Sequence, residues 1–197
     1  MGLPRRGLLA LVLPAAGCAG APPPEPPLQP IGYGYLTPLP LRVGVLRIDA
    51  ADPPPPPGDI GATLAPTPAE AVRIMARDRL SAVGTAGEAV FRVTRAGLVR
   101  RGGGLTCQLA CRLEVTGAEE GEQGFVEAAA RAAVSGSEAS RPQAAARLLR
   151  RAMDGLNVEL EFQVKRNLRA WLVPAAPGGA LPAPPAGEVT REDLPRS

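Results

Sequence analysis

The chain contains no histidine, so it lacks the commonest metal ligand and the one side chain that titrates near neutrality without help. Ser-His, Cys-His and His-metal chemistry are thereby excluded. What remains is cysteine, carboxylate and arginine. Cys107 and Cys111 lie in a stretch where Leu105, Cys107, Leu109, Cys111, Leu113 and Val115 alternate with Thr106, Gln108, Ala110, Arg112, Glu114 and Thr116. A period of two predicts a strand. Four residues of strand span about 13 Å, beyond the ~7 Å between Cα atoms that a disulfide allows. The two thiols are therefore expected as unpaired core residues among leucines. In a helical register both would face one metal, but no third or fourth ligand accompanies them.

Arg100-Arg101 followed by Gly102-Gly103-Gly104 has the composition of a phosphate cradle. It lacks the helix start that would aim backbone N–H groups at an anion, so a hairpin turn is the simpler reading. Glu159 and Glu161 with Lys165, Arg166 and Arg169 place opposite charges about one helical turn apart, the pattern of a solvated helix face. No catalytic residue, metal site or cofactor-binding residue follows from these patterns, and no enzymatic activity is expected.

Cys18 has different surroundings. Met1 to Arg6 carries two arginines, Gly7 to Leu13 is apolar, and Ala15-Ala16-Gly17 puts small residues before the cysteine. That is the order of a secretory signal, with an apolar run too short to span a bilayer of about 30 Å. Ala15-Ala16-Gly17-Cys18 resembles the lipobox of bacterial lipoproteins, although the first of these is usually leucine. The resemblance implies cleavage after Gly17 and lipidation of Cys18, and Ala19 in place of aspartate implies the outer membrane. The alternative is an ordinary export signal with Cys18 incidental. Two or three acyl chains, at ~0.8 kcal/mol per buried CH₂, would anchor the chain stably.

The net charge of +3 loses Arg5 and Arg6 with such a leader, which nearly balances what remains. With only three Phe, two Tyr and one Trp to stack on bases, nucleic acid is not expected as a partner. Lys165 is the one lysine among 22 basic residues, which reads as GC-rich codon usage.

The elements follow from pattern. Residues 1–17 form the signal and residues 18–40 the lipidated cysteine and a proline-rich tether, whose Ala19 to Pro30 part extends at about 3.1 Å per residue. Residues 41–173 form one α+β domain, and residues 174–197 a disordered tail rich in Pro, Ala and Gly. Within the domain Leu41 to Ala50 reads as a strand with one slipped position, broken by Asp52 to Gly58 with its five prolines. Thr67-Pro68-Ala69-Glu70 opens a helix whose stripe runs from Val72 to Val83, with Gly84 to stop it. Glu88 to Val99 and Leu105 to Thr116 read as strands. Phe125 to Val134 fits either state and is assigned as a strand. A final helix from Ser140 carries its stripe to about Leu172, with a bend at Gly155. The order β-α-β-β-β-α predicts an antiparallel-rich sheet with two helices on one face.

The stretches Ala76 to Leu80, Gly84 to Phe91 and Asp154 to Trp171 resemble a family of Gram-negative envelope lipoproteins of uncharacterised role, over about Leu41 to Val173. At the level of element order alone the chain is similar to auxiliary lipoproteins of lipid-transporting ABC systems. The anchor, the tether and the lack of catalytic groups point to a periplasm-facing lipoprotein that docks an envelope protein partner, such as a lipid transporter or assembly machine, through its sheet edge or long helix. A module that binds lipid or glycan in a cleft between helix and sheet is the alternative.

Overall fold

A computed structural model describes residues 27–174, residue 120 excepted. The expected signal, Cys18 and the first part of the tether lie outside the described residues, as does the tail beyond residue 174. The elements are β1 (Leu39–Leu41), β2 (Val45–Ile48), α1 (Pro68–Arg79), β3 (Leu80–Ala82), β4 (Glu88–Arg101), β5 (Gly104–Thr116), β6 (Gln123–Ser135) and α2 (Ala144–Asn167). The fold is α+β, with a four-stranded sheet in the order β2-β4-β5-β6 and a small parallel pair of β1 and β3.

The middle of the sheet is antiparallel because tight turns join its strands. Arg101 pairs with Gly104, leaving Gly102 and Gly103 at φ of 56° and 74°. Two successive positive φ values make the primed turn that matches the twist of flanking strands, and glycine adopts them at least cost. β2 joins parallel to β4 because α1 carries the chain across between them.

Alternation along β5 matches its expected period: Leu105, Cys107, Leu109, Cys111, Leu113 and Val115 are all buried. β6 is a strand, with Val126, Ala128 and Ala132 buried and Ala130 and Val134 packed at the edge of the same core. α2 covers this face with Leu149, Ala152, Met153, Leu156, Leu160 and Val164, and α1 adds Val72, Met75 and Ala76 beside it.

Three elements depart from the sequence expectation. The strand expected over Leu41 to Ala50 divides into β1 and β2, because the chain turns at Gly44, where an added Cβ would lie 3.0 Å from the Thr85 backbone and 3.1 Å from that of Ala86. α1 begins as expected, the Thr67 hydroxyl accepting a 3.3 Å bond from the Glu70 N–H. It ends at Arg79 instead of continuing to Val83, since Leu80–Ala82 pairs with β1 and Val83 is exposed. α2 starts at Ala144, after Gln143 at φ 61° with no side-chain cap, and continues unbroken through Gly155. At ~1.5 Å per residue its 24 residues span about 36 Å.

The packed unit also takes in residues that the sequence placed in the tether. Tyr33 and Leu39 are buried, and Ile31 and Leu36 pack against the core. The Tyr33 N–H donates to Asp78 Oδ2 at 2.7 Å and its hydroxyl to Asp154 Oδ1 at 3.2 Å. Burial first, then the neighbouring Asp154 charge, raises the Tyr33 phenol above its ordinary range. At the other end Leu172 bridges Leu41, and the Val173 N–H donates to the Pro40 carbonyl at 2.9 Å.

Candidate functional site

The helices leave the outer face of the sheet uncovered, and its charges divide into two regions. Towards the start of β4 every outward arginine meets a carboxylate. Arg47 pairs with Glu88, Arg92 with Glu114 and with Asp49 at 3.5 Å, and Arg112 with Glu114 at 2.8 Å and Glu127 at 3.0 Å. Arg112 also lies 4.1 Å from the centre of the Phe125 ring. The Arg47 guanidinium holds Glu88, and those of Arg92 and Arg112 hold Glu114, below the usual carboxylate range.

Towards the β4–β5 turn the pattern changes. Here the face is the floor of a groove of about 980 Å³, built from cross-strand rows Gly97–Gln108–Arg131, Val99–Thr106–Ala133 and Arg101–Gly104–Ser135. A register shift between Val93 and Arg95 turns Arg95 to the groove as well. The proline run forms the wall through Pro54, Pro56 and Pro57. It rests on the sheet at Gly97, where a Cβ would come within 2.5 Å of Pro56.

Two devices hold that wall. Asp59 Oδ1 accepts a 2.7 Å bond from the Leu98 N–H, and the Ile60 N–H donates to the Leu98 carbonyl at 2.8 Å. Arg73, buried on α1, donates to the carbonyls of Asp49, Ala50 and Ala51 at 3.1, 2.9 and 3.1 Å and pairs with Asp52. The chain read from sequence as a strand break is thus a fixed structural wall.

Among the described residues three arginines, Arg95, Arg101 and Arg131, line the groove, and no carboxylate does. Among the described residues none of the three forms an ion pair, and Arg95 reaches only Gln108 Oε1, at 3.5 Å. Such a site presents donors and positive charge with no internal anion to satisfy them.

Other residues singled out from sequence stand apart from the groove. Cys107 and Cys111 are free and buried, and burial pushes both thiols up to about 12, which suppresses the reactive thiolate. Arg100 donates to the Ala139 carbonyl at 3.3 Å. Glu159 accepts from Gln163 at 2.7 Å, and Glu161 pairs with Lys165 on the same helix and with Arg79 of α1. Core side chains fill most of the helix–sheet interface, expected as an alternative ligand cleft; a small cavity of about 180 Å³ remains at one end, between Val134 of β6 and Ala144, Leu148 and Arg151 of α2, and the groove opens on the opposite face. Sequence reasoning met Arg101 and the proline run separately; nothing in their spacing joins them to Arg95 or Arg131.

No protein-family model and no curated protein matches the chain. Among solved structures, the lipoprotein GNA1162 from Neisseria meningitidis is similar over 48% of this chain and 88% of that one, at 11% identity and a TM-score of 0.25. A likeness of that size carries no argument about fold or function.

Proposed function

We propose that this chain is a lipid-anchored, periplasm-facing envelope lipoprotein of the outer membrane, without catalytic activity, that docks a transport or assembly partner along β6. The anchor rests on the arginines, apolar run and Ala-Ala-Gly-Cys18 of the first residues. The observation that carries docking is the open edge of β6. Its thirteen residues pair with β5 without a register shift, and among the described residues no strand pairs with its other side.

Long edge strands normally carry a proline, a bulge or an inward charge that stops further pairing. β6 has no proline, and its inward positions are Gly124, Val126, Ala128, Ala130, Ala132 and Val134. It offers about 40 Å of backbone donors and acceptors beside small side chains, the surface to which an extended partner segment adds as a further strand. Absence of catalysis is supported by the pairing of the outer-face carboxylates with arginines and by the suppressed thiols.

The anchor is tested by intact mass and membrane fractionation of the wild type beside Cys18→Ala in a Gram-negative host. Acylated wild type in the outer membrane and an unacylated variant are expected; a soluble wild type cut elsewhere would remove the anchor. Docking is tested with a photo-reactive residue at Ala129, on the exposed face of β6. One adduct of constant mass, lost when Phe125→Lys blunts the edge, is expected. An adduct of twice the chain's own mass, or none, would overturn docking to another protein.

A further inference from the structure

The groove carries an inference that does not depend on anchor or edge. Gln108 sits between two charges: it is the cross-strand neighbour of Arg131 on one side, and its Oε1 is 3.5 Å from Arg95 Nη1 on the other. Arg95 and Arg131 thus flank Gln108 on the groove floor, with Thr94 and Thr106 as further donors in the lining and Arg101 at the turn end. Planar guanidinium forks match the oxygens of a phosphate in pairs, and charge-assisted bonds of this kind are the strongest that side chains make.

The rest of the groove is apolar. Pro54, Pro56 and Pro57 line it together with Val99 and Ala133, and Arg73 and Asp59 fix the proline wall before any ligand arrives. A built wall means that little chain entropy is lost on binding. The same face, one sheet end away, neutralises Arg47, Arg92 and Arg112 with carboxylates, so the lack of such partners in the groove is local to it.

We propose that this groove binds a phosphate-bearing ligand, its phosphate oxygens held between Arg95 and Arg131 over Gln108 and its apolar part along the proline wall. The phosphate belongs to a lipid headgroup or to a soluble phosphate compound, which share this recognition.

The test is isothermal titration of the full chain carrying Cys18→Ala with inorganic phosphate, a short-chain phosphatidic acid and a short-chain phosphatidylcholine, in low salt and at 0.15 M salt. Phosphatidic acid binding well above phosphatidylcholine, with inorganic phosphate weak, would assign a lipid headgroup. Comparable binding of inorganic phosphate would assign a soluble compound. In either case Arg95→Gln with Arg131→Gln should weaken binding about tenfold or more. The control Arg77→Gln, on α1 and paired with Glu70, should leave it within about twofold. Equal losses in both variants would reduce the effect to overall charge and overturn the site, as would absence of binding by all three probes. Gln substitutions at exposed positions leave the core intact, and unchanged far-ultraviolet dichroism confirms this.

Discussion

The Arg79 Nε donates to Asn157 Oδ1 at 2.9 Å in the interior between α1 and α2. Arg79 is 1% exposed, and its other nitrogens reach the Thr37 carbonyl and Glu161. One guanidinium therefore ties both helices to the chain leading into β1. Removing a partner of a buried charge costs more than removing the pair. Asn157→Leu is expected to lower the unfolding free energy by about 2–4 kcal/mol, read from urea denaturation. Combining it with Arg79→Met should restore part of that loss. A double variant as unstable as the sum of the single ones would show that the two residues do not act together.

Acid should weaken the fold in a defined window. The Lys165 hydrogen bond, with the Arg79 charge, holds the Glu161 carboxyl below its ordinary value of 4.5, and Glu88 and Glu114 are lowered likewise by their arginines. Below about pH 4.5 the unfolded chain takes up protons that these folded carboxylates still refuse, so stability falls with pH until the folded groups protonate too. Above that window these groups contribute their full stabilisation. Glu161→Gln should make the urea midpoint less sensitive to pH between 5 and 3; an unchanged slope would remove Glu161 from the linkage.

Much of the architecture was legible because a half-buried strand writes a period of two into its sequence, as β5 does. β6 was harder, since alanines satisfy both periods and Glu127 and Arg131 are spaced as a helical pair. In the fold Glu127 instead pairs with Arg112 of the neighbouring strand and Arg131 faces the groove, so a tertiary contact decides the element. The end of α1 was not legible, because Leu80 continues the helical stripe and only pairing with β1 turns it to a strand. Nor was the groove. Its arginines come from β4 and β6 and its wall from a proline run that sequence marks only as a break. Arg73 and Arg79 are buried, where composition offered only codon usage as the reason for an arginine.

Both core thiols should be inert in the folded chain. Cys107 and Cys111 face α2 from β5, and burial holds them protonated up to about 12. In the Cys18→Ala chain neither should react with Ellman's reagent at pH 8 until denaturant is added. Because unfolded thiols ionise near 9, the folded state holds more protons above that pH, and stability should decline as pH rises further. Rapid labelling without denaturant would mean that β5 opens locally.

Two glycines with positive φ should differ in tolerance. Gly102 has φ +56° and nothing within 4 Å of an added Cβ, whereas at Gly87, with φ +80°, that Cβ would lie 2.5 Å from the Thr116 carbonyl oxygen. Gly102→Ala carries only the backbone penalty, about 1–2 kcal/mol. Gly87→Ala adds a collision with a β5 carbonyl and should cost clearly more. Equal thermal shifts for the two variants would show that the loop before β4 yields to the added methyl.

Arg73 should decide whether the groove keeps its wall. Its side chain spends its donors on three successive carbonyls and Asp52, groups that the segment after β2 cannot satisfy within itself. Methionine at this position keeps the buried aliphatic stem and removes every donor, so Arg73→Met should leave α1 packed while freeing residues 49–57. Hydrogen exchange at Ala51 is expected to rise about tenfold or more, for a loss of about 1.5–3 kcal/mol of local stability, while amides in the middle of α2 stay protected. The Leu98 N–H, held by Asp59 from the same loop, reads how far the release travels. Faster exchange there would mean that both fastenings fail together, and protection throughout would mean that Pro56 against Gly97 suffices to hold the wall.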